Sequence, residues 1–397
     1  MSEMSISITD KYNNIIKNQP VFNIGCLGCV SDGKSTLVEK LTNIKTQKHS
    51  SEKERNITIK QGYANMKIYD NDTNLINHVS FVDCPGHQDY ILTLLQSASI
   101  MDGVIVVIAV NQLLSRKELL LQHLKVIEIL KINKVIICLN KIDLVPKENV
   151  KIYKDNLDKL LDKFSIKPYK IIPTSLSRSI NLDKLMESIR EIFKFSYDEI
   201  IDRSNKDPIF IINRSFDINK PGTEISKVKP GIIGGTLIQG KLKIGDRIEI
   251  NRDKMSIETE IKNIKTENSF IQDSDLYPGG LVGLETNLDP TLCKNDGLNG
   301  NIFTLTNKFI KNKKLYITLE YIDDKWTPCL GDLVVIIVKN KYIKVNVINV
   351  HDNLILVEPV DNIYIVIVDK SIIIICKINN INANHFRIIG SGYNCID

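Results

Sequence analysis

Residues 25–36, GCLGCVSDGKST, contain two overlapping patterns that could each do chemistry. Cys26 and Cys29 are spaced like the thiols of a metal knuckle or of a redox pair. Residues 28–35 match the Gly-x-x-x-x-Gly-Lys-Ser pattern of a loop that cradles phosphate groups. The same loop contains an aspartate, Asp32, although it should attract anions. The sequence around the loop decides between the two interpretations.

The phosphate-loop interpretation is favoured because the pattern follows an apolar stretch, VFNIGCLG, and opens a helix-like one, KSTLVEKLTN. A strand that leads through such a loop into a helix directs backbone N–H groups at a phosphate. Lys34 would reach the β- and γ-phosphates, and the Ser35 hydroxyl would complete a Mg²⁺ shell. No second cysteine pair lies at zinc spacing, so the two thiols are interpreted as incidental. The predicted nucleotide contacts in the loop are Gly28, Val30, Ser31, Asp32, Gly33, Lys34, Ser35 and Thr36.

Asp32 admits two interpretations. In the first, its side chain points to solvent and only its N–H serves the phosphate. In the second, its carboxylate pairs with a lysine or a monovalent cation and tunes nucleotide release. The question matters because the repulsion between a partly buried carboxylate and a polyphosphate costs on the order of a few kcal/mol at an effective dielectric constant of about 20.

A second motif, Asp83-Cys84-Pro85-Gly86, ends the apolar stretch HVSFVDCPG. At the carboxyl end of a parallel strand, the Asp83 carboxylate can hold Mg²⁺ directly or through water. The N–H of Gly86 can sense a γ-phosphate. The motif therefore predicts a metal ligand and a phosphate sensor beside the phosphate loop.

A third motif, Asn140-Lys141-Ile142-Asp143, ends the stretch KVIICLN and predicts a guanine site. Asp143 can accept hydrogen bonds from N1–H and N2–H₂ of guanine, which adenine does not offer, and such a mismatch discriminates strongly. Asn140 can tie this loop to the phosphate loop, and the Lys141 stem can lie along the base. Ser175, followed by Leu176, is placed to hold guanine O6 through its N–H. Three strand-end motifs in this order predict a guanine nucleotide site.

Strand-like and helix-like segments alternate over the part of the chain that carries these motifs. This alternation predicts a doubly wound, mostly parallel α/β sheet over residues 21–205, preceded by a flexible lead-in over residues 1–20. After residue 205 the helical periodicity disappears and short alternating strands with glycine turns begin. We expect two all-β barrels there, over residues 206–310 and 311–397.

Composition excludes several classes of protein. The chain has 397 residues, too many for one core, and a formal net charge of +5, which permits an RNA partner without requiring one. Its eight scattered cysteines favour a reducing compartment. No secretory signal or membrane-length apolar run is present, so we expect no membrane partner and a place in the cytoplasm or the ribosome-containing compartment of a reduced organelle.

Several longer segments resemble one protein family. They are ERNITIKQGYANMKIYD, HVSFVDCPGH, NKIDLV, RSFDINKPGTEI, GGTLIQGKLKIGDRIEI and YPGGLVGLETNLDPTLC. Together they resemble the gamma subunit of eukaryotic and archaeal translation initiation factor 2, from about residue 21 to about residue 306 and more weakly beyond. RSFDINKPG and DPTLC separate the chain from elongation factor Tu, which shares the fold and the GTPase motifs.

The resemblance implies a three-domain GTPase that works with alpha and beta subunits. With GTP bound, such a factor carries methionyl initiator tRNA to the small ribosomal subunit, and hydrolysis to GDP switches it off. Hydrolysis is slow alone and is promoted by an activating factor, and an exchange factor renews the nucleotide. The resemblance makes Thr58 a Mg²⁺ ligand and His87 the residue that orients the attacking water, behind an apolar gate of Val30 and Ile57. Lys34, Thr58, Gly86 and His87 are the predicted catalytic set.

For tRNA, the resemblance places the aminoacylated end in a groove between the GTPase domain and the first barrel. Asn56 and Tyr63 are the predicted contacts, and Lys220 is a weaker candidate for the tRNA backbone. A half-buried strand aromatic is an equally good interpretation of Tyr63. Many family members carry a cysteine-rich zinc knuckle before the Asp83 strand, but YDNDTNLIN has no cysteine, so we predict no zinc.

Two other functions compete with this one. The first is an elongator or selenocysteinyl-tRNA carrier, which would share the fold and the motifs. The second is a nucleotide-binding scaffold that assembles subunits but hydrolyses little. The presence of Lys34, Ser35, Thr58, Asp83 and His87 argues against the scaffold.

Overall fold

The structure, a computed structural model, describes most of the chain. The described residues are 8–46, 61–70, 74–113, 115–167, 169–252, 255–266, 270–271, 275–305, 309–324, 326–368, 370–380 and 383–395. Three predicted residues, Asn56, Ile57 and Thr58, lie outside these ranges. Within the described ranges, no helix combines the length and the apolar character that a membrane crossing requires.

The first unit is built on a six-stranded sheet with the strand order β2-β3-β1-β4-β5-β6. The strands are β1 Phe22–Leu27, β2 Gly62–Asp70, β3 Asn74–Asp83, β4 Gly103–Ala109, β5 Val135–Asn140 and β6 Tyr169–Pro173. Only β2 runs antiparallel to its neighbour; β3, β1, β4, β5 and β6 pair in parallel. Every residue of β1, β4 and β5 is buried, which explains their continuous apolar sequence.

Helices cover both faces of this sheet. They are α1 Ile8–Asn18, α2 Lys34–Thr42, α3 Ile91–Ala98, α4 Lys117–Ile129, α5 Lys147–Leu161, α6 Leu182–Ile192 and α7 Tyr197–Ser204. Leu37 of α2 and Leu185 of α6 pack in the core on one face. Leu94, Leu124 and Leu157 of α3, α4 and α5 pack in the core on the other face. The sheet is therefore doubly wound, as predicted.

The N-terminal segment differs from the prediction. Helix α1 replaces the expected flexible lead-in over its eleven residues. Its sequence places Tyr12, Ile15 and Ile16 three and four residues apart on one face, and this face packs in a small core with Ile200 of α7. The carbonyl of Ile16 lies 3.0 Å from Nδ1 of His78 in β3. The mostly polar composition of residues 1–20 did not predict this buried apolar face.

The first barrel follows α7. Its elements are β7 Ile209–Phe216, β8 Ile232–Gln239, β9 Arg247–Arg252, β10 Met255–Lys265, β11 Phe270–Ile271, β12 Val282–Thr286, α8 Pro290–Cys293 and β13 Ile302–Leu305. Pairing of β9 with β10 closes the ring β10-β12-β8-β7-β13-β9, and β11 extends it at β10. Phe210 and Phe303 stack in its centre, with ring centroids 4.6 Å apart.

The second barrel completes the chain. Its elements are β14 Ile310–Asn312, β15 Leu315–Ile322, β16 Leu333–Val338, β17 Lys341–His351, β18 Leu354–Pro359, β19 Ile365–Ile367, β20 Ile372–Asn380 and β21 Ala383–Asn394. Six strands close in the order β15-β18-β17-β16-β20-β21, and β14 pairs with β19. The predicted fold class, an α/β GTPase-type domain followed by two all-β barrels, is confirmed. The predicted boundaries at 205/206 and 310/311 fall between α7 and β7 and inside β14.

The first barrel is fixed to the sheet by close main-chain approach and buried hydrogen bonds. Asn23 Nδ2 of β1 donates to Thr236 Oγ1 of β8 over 3.1 Å. The N–H of Leu281 donates to Ser80 Oγ of β3 over 3.0 Å. A Cβ at Gly280, which has a positive φ of 67°, would lie 2.1 Å from the carbonyl oxygen of Pro20. These contacts set the position of the barrel beside β2 and β3.

Candidate nucleotide site

The predicted motifs meet at one edge of the sheet. β3, β1, β4 and β5 are neighbours and run in parallel, so the loops at their carboxyl ends lie side by side. The phosphate loop follows β1, the Asp83 motif ends β3 and the Asp143 motif follows β5. The position matches the crevice in which open α/β sheets bind ligands.

The phosphate loop has a conformation that requires its glycines. Gly28 has a φ of 138°, and a Cβ there would lie 2.1 Å from the carbonyl oxygen of Val107 in β4. Gly33 has a φ of 107° and immediately precedes α2. Ser31, at the centre of the loop, is exposed and also has a positive φ, 62°. The loop thus folds tightly against the end of β4 and leads into a helix N-terminus.

Lys34 lies between the phosphate loop and the turn after β3. Its side chain is buried, and Nζ donates to the carbonyl oxygen of Cys29 over 2.8 Å. Gly86 approaches so closely that a Cβ there would lie 2.4 Å from the Lys34 Nζ and 2.6 Å from the carbonyl oxygen of Gly28. An ammonium group in this place can reach a phosphate held by the loop.

The structure contradicts the solvent-facing interpretation of Asp32, while the pairing of its carboxylate with a monovalent cation and an effect on nucleotide release stay predictions. The residue is only 4% exposed, so its side chain does not point to solvent. Its Oδ2 accepts the N–H of Cys29 over 2.7 Å, a local side-chain-to-backbone bond that aspartate commonly forms in turns. No ion pair joins it to a lysine within the described residues. The carboxylate instead stabilises the loop from inside.

The electrostatics of Asp32 follow from this position. Burial raises the pKa of its carboxyl group above the ordinary value. Hydrogen bonds from the N–H groups of Cys29 and Ala109 and the positive charges of Lys34 and Arg116 oppose that rise in pKa. The charge of Asp32 is therefore compensated locally but incompletely.

The two cysteines of the loop are free, buried thiols. Burial raises the pKa of Cys29 to about 12 and the pKa of Cys26 well above its ordinary value. Because the thiolate is the form that binds metals and attacks disulfides, these thiols lack the character of a metal or redox site.

Asn140 joins the phosphate loop to the loops on the base side. It is buried at the end of β5, and its Nδ2 donates to the carbonyl oxygen of Asp32 over 2.8 Å. Its Oδ1 accepts the N–H of Leu176 over 3.1 Å. The predicted tie between the loops is present. Lys141, the next residue, has a φ of 64°, which turns the chain sharply out of the strand.

Asp143 has two partners that bear on base recognition. A hydrogen bond from the side chain of Ser175 holds the pKa of Asp143 below its ordinary value. Arg178 Nε lies 3.4 Å from Asp143 Oδ2, a contact the sequence did not reveal. The contact of Ser175 with guanine O6 stays a prediction, but in this structure its N–H donates to the carbonyl oxygen of Ile180 over 3.3 Å. The hairpin-like bridge between Ser175 and Ile180 is the physical reason for this bond.

Side chains with oxygen atoms of the kind that Mg²⁺ prefers occur at the end of β3 and at the start of α2. Asp83 is fully buried, and its Oδ2 accepts the hydroxyl of Thr46 over 2.6 Å. Ser35 is the second residue of α2, directly after Lys34. Carboxylate and hydroxyl oxygens form a donor set that fits Mg²⁺. Thr46 was missed because a hydroxyl in an irregular segment carries no sequence pattern.

His87 borders an open cavity of about 530 Å³ next to the phosphate loop. Its Nδ1 lies 3.3 Å from Asp89 Oδ2. Val30, Gly86 and Arg116 also line this cavity. The histidine and the phosphate loop thus border the same open space, and the orientation of water by His87 stays a prediction.

Tyr63 lies in β2 and lines a second cavity of about 370 Å³, between the sheet and the first barrel. Arg214, Phe216 and Lys265 line it from the barrel side. Burial raises the pKa of Tyr63, and its hydroxyl donates to Gln61 Oε1. Both interpretations of Tyr63 are thus compatible with its place, since it is half-buried and still faces a cavity. The exposed Lys220 is not among the lining residues of this cavity.

The sequence of this chain is similar to those of known GTP-binding proteins. The family model for the elongation factor Tu GTP binding domain matches residues 19–194. Eukaryotic translation initiation factor 2 subunit gamma of Encephalitozoon cuniculi is 36% identical over 346 residues, which cover 77% of this chain and 76% of that protein. Translation initiation factor 2 subunit gamma of Pyrococcus furiosus is 38% identical over 311 residues, covering 72% of this chain and 74% of that protein.

Solved structures show the same fold. The bacterial selenocysteine-specific elongation factor EF-Sec superposes with a TM-score of 0.77 at 18% identity, covering 94% of this chain and 58% of that one. Elongation factor SelB of Methanococcus maripaludis, bound to a GTP analogue, gives a TM-score of 0.74 at 19% identity, covering 95% of this chain and 79% of that one. At these identities the likeness concerns the fold alone. The sequence relatives carry the assignment: the chain belongs to the gamma-subunit family of eukaryotic and archaeal translation initiation factor 2 and is a GTP-binding translational GTPase.

Proposed function

We propose that this chain carries methionyl initiator tRNA to the small ribosomal subunit in its GTP-bound state and releases it after hydrolysis. It would do so as one subunit of a factor with alpha and beta subunits, in the cytoplasm or in the ribosome-containing compartment of a reduced organelle. The observation that carries the proposal is the pairing of β2 with β3. Gly62 lies opposite Asp83, and Tyr63 lies opposite Val82. The wall of the interdomain cavity is therefore one residue away from the proposed metal ligand.

Ser35 and Asp83 would hold Mg²⁺, with Thr58 as a third ligand. When bound, the metal would neutralise charge on the β- and γ-phosphates. The N–H groups of the phosphate loop and the Lys34 ammonium would bind the same phosphates. We propose no zinc site, because residues 69–77 contain no cysteine.

For hydrolysis, His87 would orient the attacking water and Gly86 would sense the γ-phosphate. Phosphoryl transfer needs positioning and charge stabilisation more than a strong base, so an orienting histidine suffices. His87 lies beside an open cavity and not in a closed site, which supports a reaction that is slow until an activating factor completes it. An exchange factor would then replace GDP with GTP.

The interdomain cavity has the chemistry that an aminoacylated adenosine needs. Tyr63 and Phe216 offer aromatic surface for a base or for the methionyl side chain. Arg214 carries a positive charge, although Asp296 holds it at 2.8 Å and would share it. Asn65 adds an amide. The predicted contacts Asn56 and Tyr63 remain the proposed tRNA residues on the sheet side.

Filter binding of labelled tRNAs to the assembled factor tests the proposal. With a non-hydrolysable GTP analogue we expect methionyl initiator tRNA to bind more tightly than elongator methionyl-tRNA and selenocysteinyl-tRNA, and GDP should weaken binding. Tyr63→Ala should reduce initiator binding, while Tyr69→Ala, an exposed tyrosine on the same strand, should not. A preference for either elongator species would contradict the proposal.

The scaffold alternative requires a separate measurement. Single-turnover hydrolysis of bound GTP should rise above background when small ribosomal subunits and the activating factor are added. GTP loss that stays at background under these conditions would favour a scaffold that hydrolyses little.

A further inference from the structure

Arg116 is held firmly at the start of α4. Its N–H donates to the carbonyl oxygen of Gln112 over 3.2 Å, and its own carbonyl oxygen accepts the N–H of Leu120 over 3.1 Å. These two bonds join the turn after β4 to the first turn of the helix. The backbone of Arg116 is therefore fixed relative to the central strand of the sheet.

The side chain of Arg116 reaches from this anchor to the phosphate loop. Nη1 donates to the carbonyl oxygen of Val30, in the middle of the loop. No ion pair within the described residues involves Arg116. Its charge acts on the loop, since it lowers the pKa values of Cys29 and Asp32 against the effect of burial. A guanidinium has five N–H donors, so this group has donors to spare beside the one that binds Val30.

The cavity beside His87 explains why this contact matters. Val30, Gly86, His87 and Arg116 all line it, and Gly86 lies against the Lys34 ammonium. We propose that Arg116 is a positioning residue for GTP hydrolysis. It holds the Val30 segment of the phosphate loop in the place from which that segment and His87 enclose the attacking water. This inference rests on the proposed assignment of the nucleotide site to this edge of the sheet.

The physical reason is the way the two ends of this segment are held. Asp32 bonds the N–H of Cys29 from inside the loop, whereas Arg116 holds the carbonyl of the next residue, Val30, from outside it. Removing Arg116 takes away the outside bond and leaves the inside bond in place. A misplacement of about 1 Å near a reacting centre costs about 100-fold in rate. An arginine suits the role because its rigid charged fork holds a carbonyl oxygen and adds positive charge near the phosphates.

The test compares Arg116→Ala and Arg116→Lys with Arg190→Ala, which removes an exposed arginine from the last turn of α6. Single-turnover hydrolysis of bound GTP and equilibrium affinity for GDP are measured on the full chain. We expect Arg116→Ala to slow hydrolysis by about 10- to 100-fold while the affinity for GDP stays within about threefold, because ground-state and transition-state effects separate in this way. The hydrolysis rate of Arg116→Lys should lie between those of the wild type and Arg116→Ala, because lysine can still donate to the carbonyl oxygen of Val30. Arg190→Ala should match the wild type in both measurements.

Two outcomes overturn the inference. One is a loss of GDP affinity as large as the loss of rate, which indicates a structural role only. The other is a hydrolysis rate for Arg116→Ala equal to that of Arg190→Ala. If Arg116→Ala does not fold, Arg116→Lys and Arg116→Gln give the same comparison. Lys34→Ala separates this inference from its premise: unchanged nucleotide binding in that variant means that the site assignment itself is wrong.

Discussion

The two halves of the nucleotide site are built differently. On the phosphate side, Asp32 and Lys34 are 4% and 6% exposed, and both are bonded to main-chain atoms of the loop that they serve. On the base side, the Asp143 carboxylate meets Arg178, whose side chain is 67% exposed. The phosphate half is therefore preformed, whereas on the base half the Asp143 carboxylate, whose side chain is 10% exposed, is covered by a surface arginine. Asn140, which contacts both halves, is the buried link between them.

This difference indicates that the two halves of the site have separate roles in nucleotide binding. A preformed phosphate half binds any nucleoside diphosphate or triphosphate through groups common to all of them. The base half selects among nucleotides through one carboxylate, which an exposed arginine can leave without disturbing the core. Changes on the phosphate side should therefore affect all nucleotides, whereas changes on the base side should alter only the choice among them.

Lys34→Ala should have the largest effect on the affinity for nucleotides as a class. It removes a buried charge that would contact phosphate, a loss typically worth about 2–5 kcal/mol, so the affinities for GTP and GDP should both fall by more than about 30-fold. Equilibrium titration with fluorescent GTP and GDP measures this. Equal and unchanged affinities would show that the phosphate half has been misassigned.

Gly86→Ala should have the next largest effect. The new methyl group would lie 2.6 Å from the carbonyl oxygen of Gly28, which is main chain and cannot move aside cheaply. Overpacking of this kind costs about 1–3 kcal/mol, and here it would push apart the phosphate loop and the turn that carries His87. Hydrolysis should slow by at least about tenfold. Gly283→Ala, where a methyl group meets only ordinary contacts, is the matched control.

Asp32→Asn should have the smallest effect and should reveal the pH dependence of the loop. Because burial raises the folded-state pKa of Asp32, its protonated form favours folding, and this contribution is lost as pH rises through that pKa. Asparagine keeps an oxygen for the Cys29 N–H but does not ionise. The Tm of the variant relative to the wild type should therefore increase from pH 4 to pH 7, by about 1–3 °C. A Tm difference that is constant over this range would contradict the account.

The sequence predicted most of this fold because the patterns are local. An apolar run such as residues 103–109, which form β4, can be recognised from adjacent residues alone. The same holds for the motifs at the strand ends. The prediction failed where a few buried residues decide the structure: α1 looks polar, yet Ile15 and Ile16 dock it on the sheet. Two isoleucines are too few to stand out against a background rich in that residue.

For the site, the motif residues were predictable but their partners were not. Thr46, Arg116 and Arg178 reach the site from irregular segments or from the start of a helix, positions that carry no spacing signal. The orientation of Asp32 depends on which side of the loop is buried, a tertiary property. The engagement of the Ser175 N–H depends on its bridge to Ile180.

The most direct test of the divided site is the nucleotide preference of Asp143→Asn. An asparagine can donate to O2 of xanthine and accept from its N1–H, whereas it leaves one of the two guanine donors without a partner. We predict that the preference for GTP over XTP reverses, with a change in the affinity ratio of about 100-fold or more, while hydrolysis of bound XTP matches that of GTP in the wild type. Asp162→Asn, at an exposed ion pair, is the control. An unchanged preference for GTP in Asp143→Asn would contradict the central claim that this loop selects the base.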